Sequence, residues 1–206
     1  MANWCSTTYA FTGPEDQITD FHNAIQQLLE ESEESSIKKT DFGNGWLGNL
    51  LDAHDIDHDE ENIYCRGYIS YLGKNVDETD IEGEATFTLE TETAWYPMHE
   101  VFDTIINTHY PDIQYFYMAE EFGCMLFKTN DINGIYFPDK YYLEVGGCEE
   151  LSGSYCPDKK TMLIAVGNVF NQVFHSTEEM VEYLEDAEAE GIISDYFYLE
   201  CDVVNS

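Results

Sequence analysis

Residues 4–29, WCSTTYAFTGPEDQITDFHNAIQQLL, contain the change of period that decides the fold. Up to Phe11 the period is two. Cys5, Thr7, Tyr9 and Phe11 fall on one side of an extended chain, and Trp4, Ser6, Thr8 and Ala10 on the other. Gly13 and Pro14 interrupt the pattern, and proline suits the first turn of a helix. Beyond them Ile18, Phe21, Ile25, Leu28 and Leu29 recur at helical spacing. The stretch therefore predicts a strand that feeds directly into an amphipathic helix.

Downstream, EESEESS ends the helical pattern, and a glycine-broken passage follows in which Trp46, Leu47, Leu50 and Leu51 suit one packed turn. NIYCRGYISYL predicts a strand with Ile63, Cys65, Gly67, Ile69 and Tyr71 on one face. EGEATFTLETE predicts another, with Ala85, Phe87 and Leu89 inward. A second amphipathic helix begins near Pro97, carries Met98, Val101, Phe102, Ile105 and Ile106, and stops at Tyr110-Pro111. IQYFYMAE reads as the next strand. The order strand, helix, strand, strand, helix, strand is that of the α+β, ferredoxin-like split βαβ sandwich, an antiparallel sheet with its helices on one face.

CMLFKTND and GIYFPDKYYLEV predict an added hairpin around Asn133-Gly134. After it, MLIAVGNVF reads as a strand and YFYLECDVV as another. Between them lies a helix with a capping box at Ser176 and Glu179 and a C-terminal Gly191. The expected organisation is a core over 1–145, including the hairpin, and a strand-helix-strand extension over 146–206, packed as part of the same domain.

Forty-two acidic residues stand against eight basic ones, a net charge of −34, and Arg66 is the only arginine. Such a surface repels phosphate backbones and anionic lipid, which argues against direct nucleic-acid or membrane binding. It attracts cations, or a basic surface on another protein. A 43% apolar fraction with 15% aromatics supplies a buried core, so the charge does not imply disorder. No apolar run has the length of a leader or a membrane span, so a cytoplasmic location is expected. The six cysteines include no C-x-x-C pair and read mostly as buried thiols, with Cys148 and Cys156 placed to pair if oxidised.

NWCSTTYAFTGPEDQITDF resembles the start of the YubB-like ferredoxin-like proteins, where Asn-Trp-Cys precedes a strand, a glycine turn and a helix. TAWYPMHEVFDTIINTHYPDIQYFYMAEEFG resembles their second helix, with Trp95 and Pro97 before it and Glu120, Glu121 and Gly123 after it. The resemblance covers residues 1–125. It implies a bacterial protein carried on mobile elements, with a ferredoxin-like fold. It implies no iron–sulfur cluster and supplies no catalytic residues.

Among local motifs, Asp55, Asp57 and Asp59 reproduce the opening of a calcium loop, but Glu60 and Arg66 stand where that loop requires glycine and a bidentate glutamate. His54 and His58 have the spacing of a zinc pair on a helix but lack a third ligand. Glu120 and Glu121 are adjacent on a strand and so point to opposite faces. Trp95 is expected to pack over the start of the second helix, and Cys5 to be a buried strand cysteine. No catalytic serine motif, phosphate loop or dinucleotide fingerprint is present, and neither catalysis nor a cofactor is expected.

STEEMVEYLEDAEAEG is more informative, because its helix carries Glu178, Glu182, Glu185, Asp186 and Glu188 with no lysine or arginine. Like charges three or four apart each cost about 0.2–0.5 kcal/mol in a helix. Together with Asp55, Asp57 and Asp59, these residues form the candidate acidic interaction surface. The expected function is that of a non-catalytic accessory protein of a mobile element, binding a protein partner with a basic surface. A DNA mimic that inhibits a DNA-binding protein and a metal-assisted hydrolase are the alternatives.

Overall fold

The computed structural model describes residues 3–30 and 42–204. It is a mixed α+β structure whose contacts divide the chain into two compact units, 1–126 and 127–206. In the first unit the strand-into-helix reading of 4–29 holds, except that Gly13 and Pro14 remain paired as the end of the strand instead of opening the helix. Strand β1 (Trp4–Pro14) runs straight into helix α1 (Glu15–Glu30). Then come a short helix α2 (Leu47–Asp52), strand β2 (Gly67–Leu72), a two-residue strand β3 (Asp77–Glu78) and a long strand β4 (Glu84–Ala94). Helix α3 (His99–His109) and strand β5 (Gln114–Glu121) complete it. The strands run β5-β1-β4-β2 with every neighbour antiparallel, and β3 pairs antiparallel with the start of β4.

One residue ties these elements together. Phe11 sits opposite Phe87 in the β1–β4 register, and their rings stack at 5.1 Å. The same ring meets Phe21 of α1 edge-on at 5.3 Å and Phe102 of α3 at 5.4 Å. Both helices therefore cover the same face of the sheet. Cys5, Thr7, Tyr9 and Phe11 are all fully buried on that face. Burial raises the Cys5 thiol and holds the Tyr9 phenol well above its ordinary pKa, while the Tyr9 hydroxyl stays bonded to His99 Nδ1 at 3.2 Å.

The strand expected from Ile63 is shorter than its pattern. Ile63 and Cys65 are buried, but the ladder starts only at Gly67. The Cys65 carbonyl accepts the Trp46 indole N–H at 2.7 Å and the Gly67 N–H at 2.8 Å, which turns the chain before pairing begins. Gly67 is required there, since a Cβ would lie 2.5 Å from the Thr93 methyl. A bulge between Ile69 and Tyr71 then rotates Tyr71 off the expected face, opposite Glu90 and exposed.

In the second unit, strand β6 (Leu126–Thr129) begins at the boundary, and β7 (Tyr141–Val145), β8 (Ser154–Cys156), α4 (Lys159–Phe170), α5 (Thr177–Ala189), β9 (Tyr196–Glu200) and β10 (Asp202–Val203) follow. Strand β7 lies between β8 and β9, antiparallel to both, and β10 pairs in parallel with β6. Leu143, Val145, Met162, Val166, Met180 and Leu184 form the centre of its core.

Two expectations are corrected here. CMLFKTND and GIYFPDKYYLEV do not form a hairpin, because both edges of β7 are taken by β8 and β9. The intervening loop is held by the fully buried Asp131, whose carboxylate accepts the N–H groups of Tyr136 at 2.7 Å and Phe137 at 2.8 Å. MLIAVGNVF is not a strand but most of α4. The Asp158 side chain caps that helix by accepting the Thr161 N–H at 2.8 Å, and Met162, Leu163, Val166 and Gly167 are buried at helical spacing. The apolar, β-branched run conceals a period that the cap makes readable.

Two outcomes follow from this packing. Phe11→Ala removes a ring that touches four elements and should cost about 3–5 kcal/mol in urea unfolding. Burial raises the Asp131 carboxyl, but the N–H groups of Phe137, Tyr136 and Ile135 outweigh it and leave the pKa below 3.8. A depressed folded pKa gives stability that is present above the unfolded value and lost as pH falls through the folded one. The melting-temperature gap between the wild type and Asp131→Asn should therefore be widest at neutral pH and close below about pH 4.

Candidate functional site

The acidic helix α5 is built to turn its acids outward. The Ser176 hydroxyl accepts the Glu179 N–H at 3.3 Å, and the Glu179 carboxylate accepts the His175 N–H at 2.7 Å, which fixes the start of the helix. Gly191, at φ +73°, ends it. Thr177, Met180, Leu184 and Ala187 form the buried stripe, so Glu178, Glu182, Glu185, Asp186 and Glu188 are all exposed on the remaining arc. Glu178, Glu182 and Asp186 fall on one line with steps of about 6 Å. No lysine or arginine interrupts them within the helix. The amide and hydroxyl groups at the helix start hold the Glu178 carboxyl below its ordinary pKa, so this end of the row stays charged. The Glu185 carboxylate accepts the Tyr196 hydroxyl at 3.5 Å.

The acidic loop in the first unit is a different kind of object. Asp55, Asp57 and Asp59 are exposed, and Asp55 has a left-handed backbone at φ +56°. Asp57 Oδ1 is turned back on its own chain, accepting the N–H groups of Asp59 at 2.9 Å and Glu60 at 3.2 Å. The two histidines do not act as a pair. His54 is buried with Nδ1 on the Leu50 carbonyl at 2.8 Å and Nε2 on the Tyr110 hydroxyl at 3.3 Å, and burial lowers its pKa. His58 Nδ1 lies 3.7 Å from Asp52 and its Nε2 3.7 Å from Asp59. Among the described residues, no group of three or more His, Cys, Asp or Glu side chains is placed to hold a metal ion. All six cysteines are free thiols, Cys148 and Cys156 included.

Sequence reasoning missed the clefts of the first unit. One, of about 410 Å³, is lined by Trp46, His58, Asp59, Tyr64 and Arg66 among others. A second, of about 520 Å³, is lined by Trp4, Phe42, Tyr68 and Glu92. Phe42 is common to both. Trp4, Tyr68 and Glu92 share the sheet face that the helices leave uncovered, since Ser6 and Tyr68 are the two cross-strand partners of Glu92. The period-two pattern places Trp4 on this outer side. It does not disclose that Phe42, just ahead of the glycine-broken GNGWLG, closes on it.

Trp95 departs from expectation. Its side chain is 47% exposed and its backbone has φ +75°, a left-handed conformation that is costly for a bulky residue. Its N–H donates to the Asn3 carbonyl at 2.9 Å, so the backbone is held by the chain start while the ring projects beside the equally exposed Tyr96. Glu120 and Glu121, adjacent on β5, are each half-buried. The loop's His58 and Asp59 line the same cleft as Cys65, whose thiol donates to the Ile63 carbonyl at 3.4 Å.

No family model, no curated protein and no solved structure matches this chain. The loop geometry generates its own check. With Asp57 engaged by backbone N–H groups, calcium titration at physiological salt should give weak, non-stoichiometric binding. A single saturable site with a large rise in melting temperature would show that the three aspartates reorganise around the ion.

Proposed function

We propose that this chain is a non-catalytic accessory protein that binds another protein bearing a basic surface, and that α5 is the contact. The carrying observation is the exposed acidic arc Glu178, Glu182, Glu185, Asp186 and Glu188, uninterrupted by any basic residue of the helix. Solubility requires charge, but not a continuous like-charged face whose members repel one another. A row of carboxylates at fixed helical intervals complements a row of lysines and arginines, and it speeds encounter with them.

The same row supports a narrower reading, that of a mimic of the DNA backbone occupying the cleft of a DNA-binding protein. Regularly spaced negative charge on a rigid element is the feature such a cleft recognises. A metal-assisted hydrolase is the weakest reading, because Asp57 Oδ1 and both ring nitrogens of His54 are engaged by the chain itself. We further propose that residues 4–121 form a ferredoxin-like unit. The antiparallel order β5-β1-β4-β2, with α1 and α3 on one face, supports that assignment. The YubB-like resemblance of the chain start supports a bacterial mobile-element origin, and the lack of a long apolar run in the sequence supports a cytoplasmic location.

Charge reversal separates a specific contact from bulk charge. Glu182, Glu185 and Glu188 changed to Lys should abolish capture of basic, DNA-binding proteins from the host. Reversal of the exposed Glu78, Asp80 and Glu82, at the same net charge, should leave capture intact. Competition by duplex DNA for the captured proteins is expected for the mimic and not for a partner held elsewhere. Equal loss in both triple variants would mean that net charge alone is responsible.

A further inference from the structure

We propose that the cleft walled by Trp4, Phe42 and Tyr68, with Glu92 at its side, binds an organic cation of the quaternary-ammonium or guanidinium type. The three rings are mutual neighbours. Trp4 lies 5.8 Å from Phe42 and 6.0 Å from Tyr68, inclined to them by 79° and 67°. Phe42 and Tyr68 are close to parallel, at 14° and 5.7 Å. The indole is steeply inclined to the stacked pair, so the cleft that all three residues line has ring surfaces of two orientations. A cation lodged in that cleft meets π-systems of both orientations, and indole is the strongest ring partner for a cation.

The carboxylate is positioned by backbone register rather than by a flexible loop. Glu92 is opposite Ser6 on one side and Tyr68 on the other, so its side chain rises from the same rung as the tyrosine ring. Glu90 stands two residues along on the same face, opposite Thr8 and Tyr71. Among the described residues, no lysine or arginine lines the cleft. The charge at the site is therefore negative, within a chain of net charge −34.

These features discriminate between ligand classes. An anion would meet Glu92 and the field of the whole protein. A neutral apolar ligand would desolvate the half-buried carboxylate without compensating it. An organic cation satisfies rings and carboxylate together, since its alkyl or planar groups cover the rings while its charge faces the carboxylate. A volume of about 520 Å³ accommodates a small ligand of this kind. The site requires no contribution from α5 and stands or falls independently of the proposed protein partner.

The experiment is a titration of the full chain, followed through the indole N–H resonance of Trp4. Choline and N-acetyl-arginine amide serve as the cationic probes. Dimethylbutanol, the uncharged carbon isostere of choline, and sodium chloride at matched ionic strength serve as controls. The Trp4 resonance is assigned with Trp46→Phe and Trp95→Phe, which leave the cleft tryptophan in place. At least one cation should shift that resonance saturably, about tenfold more tightly than the isostere. Glu92→Gln should weaken it several-fold without moving the melting temperature. The tighter of the two cations identifies the source, a free ammonium compound or an arginine side chain. Equal binding of the isostere would reduce the site to an apolar groove. A shift reproduced by sodium chloride, the absence of saturation, or indifference to Glu92→Gln would each overturn the proposal.

Discussion

The contact on which the first unit depends is the stack of Phe11 on Phe87 across two central strands. It fixes register, because a slip of one residue would send Phe11 to the outer face and bring Thr12 inward. It also sets the seats of both helices, since Phe21 and Phe102 pack against the same ring. The burial of Cys5, Thr7 and Tyr9 follows from that one choice of face. The outer face is left to Trp4, Ser6, Thr8 and the glutamates of β4, so the placement of the cleft is a by-product of the placement of the core.

Legibility followed the range of the interactions. Elements whose burial pattern is local were readable: β1, α1 and α3 appear where their periods put them, and the capped helix at Ser176 shows its acids outward. Elements decided by distant partners were not. Strand β7 looked like half of a hairpin because turn residues precede it, yet its neighbours come from residues 154–156 and 196–200. The run MLIAVGNVF has no polar face to betray its period, and only Asp158 marks it as a helix. Tyr71 was assigned by alternation, and one bulge reversed it. Of the functional candidates, the acids were readable because exposed charge needs no partner to declare it. The aromatic cleft was not, because Trp4, Phe42 and Tyr68 are far apart in sequence and only the fold closes them together.

The two acidic stretches named from sequence prove to be physically unlike. On α5 a buried stripe holds the helix and leaves the carboxylates facing water with few local obligations. In the 55–59 loop the acids serve the chain: Asp57 closes a turn, and Asp59 stands beside His58. The same residue types therefore present a surface in one case and stabilise a loop in the other. Composition cannot separate these roles, whereas hydrogen-bond accounting does so directly.

The bulged outer strand β2 has a consequence for the protein in solution. A strand at the margin of a sheet exposes unpaired amides and carbonyls that can recruit another chain. Here the margin is obstructed along much of its short length. The Ile69 N–H is taken by the Gly45 carbonyl at 2.8 Å, Trp46 bridges to Tyr68, and the Ile69–Tyr71 irregularity breaks the straight run of groups beyond them. A docking copy would find no continuous template. Self-association by strand addition is thereby discouraged through backbone geometry, in addition to the mutual repulsion of the surfaces.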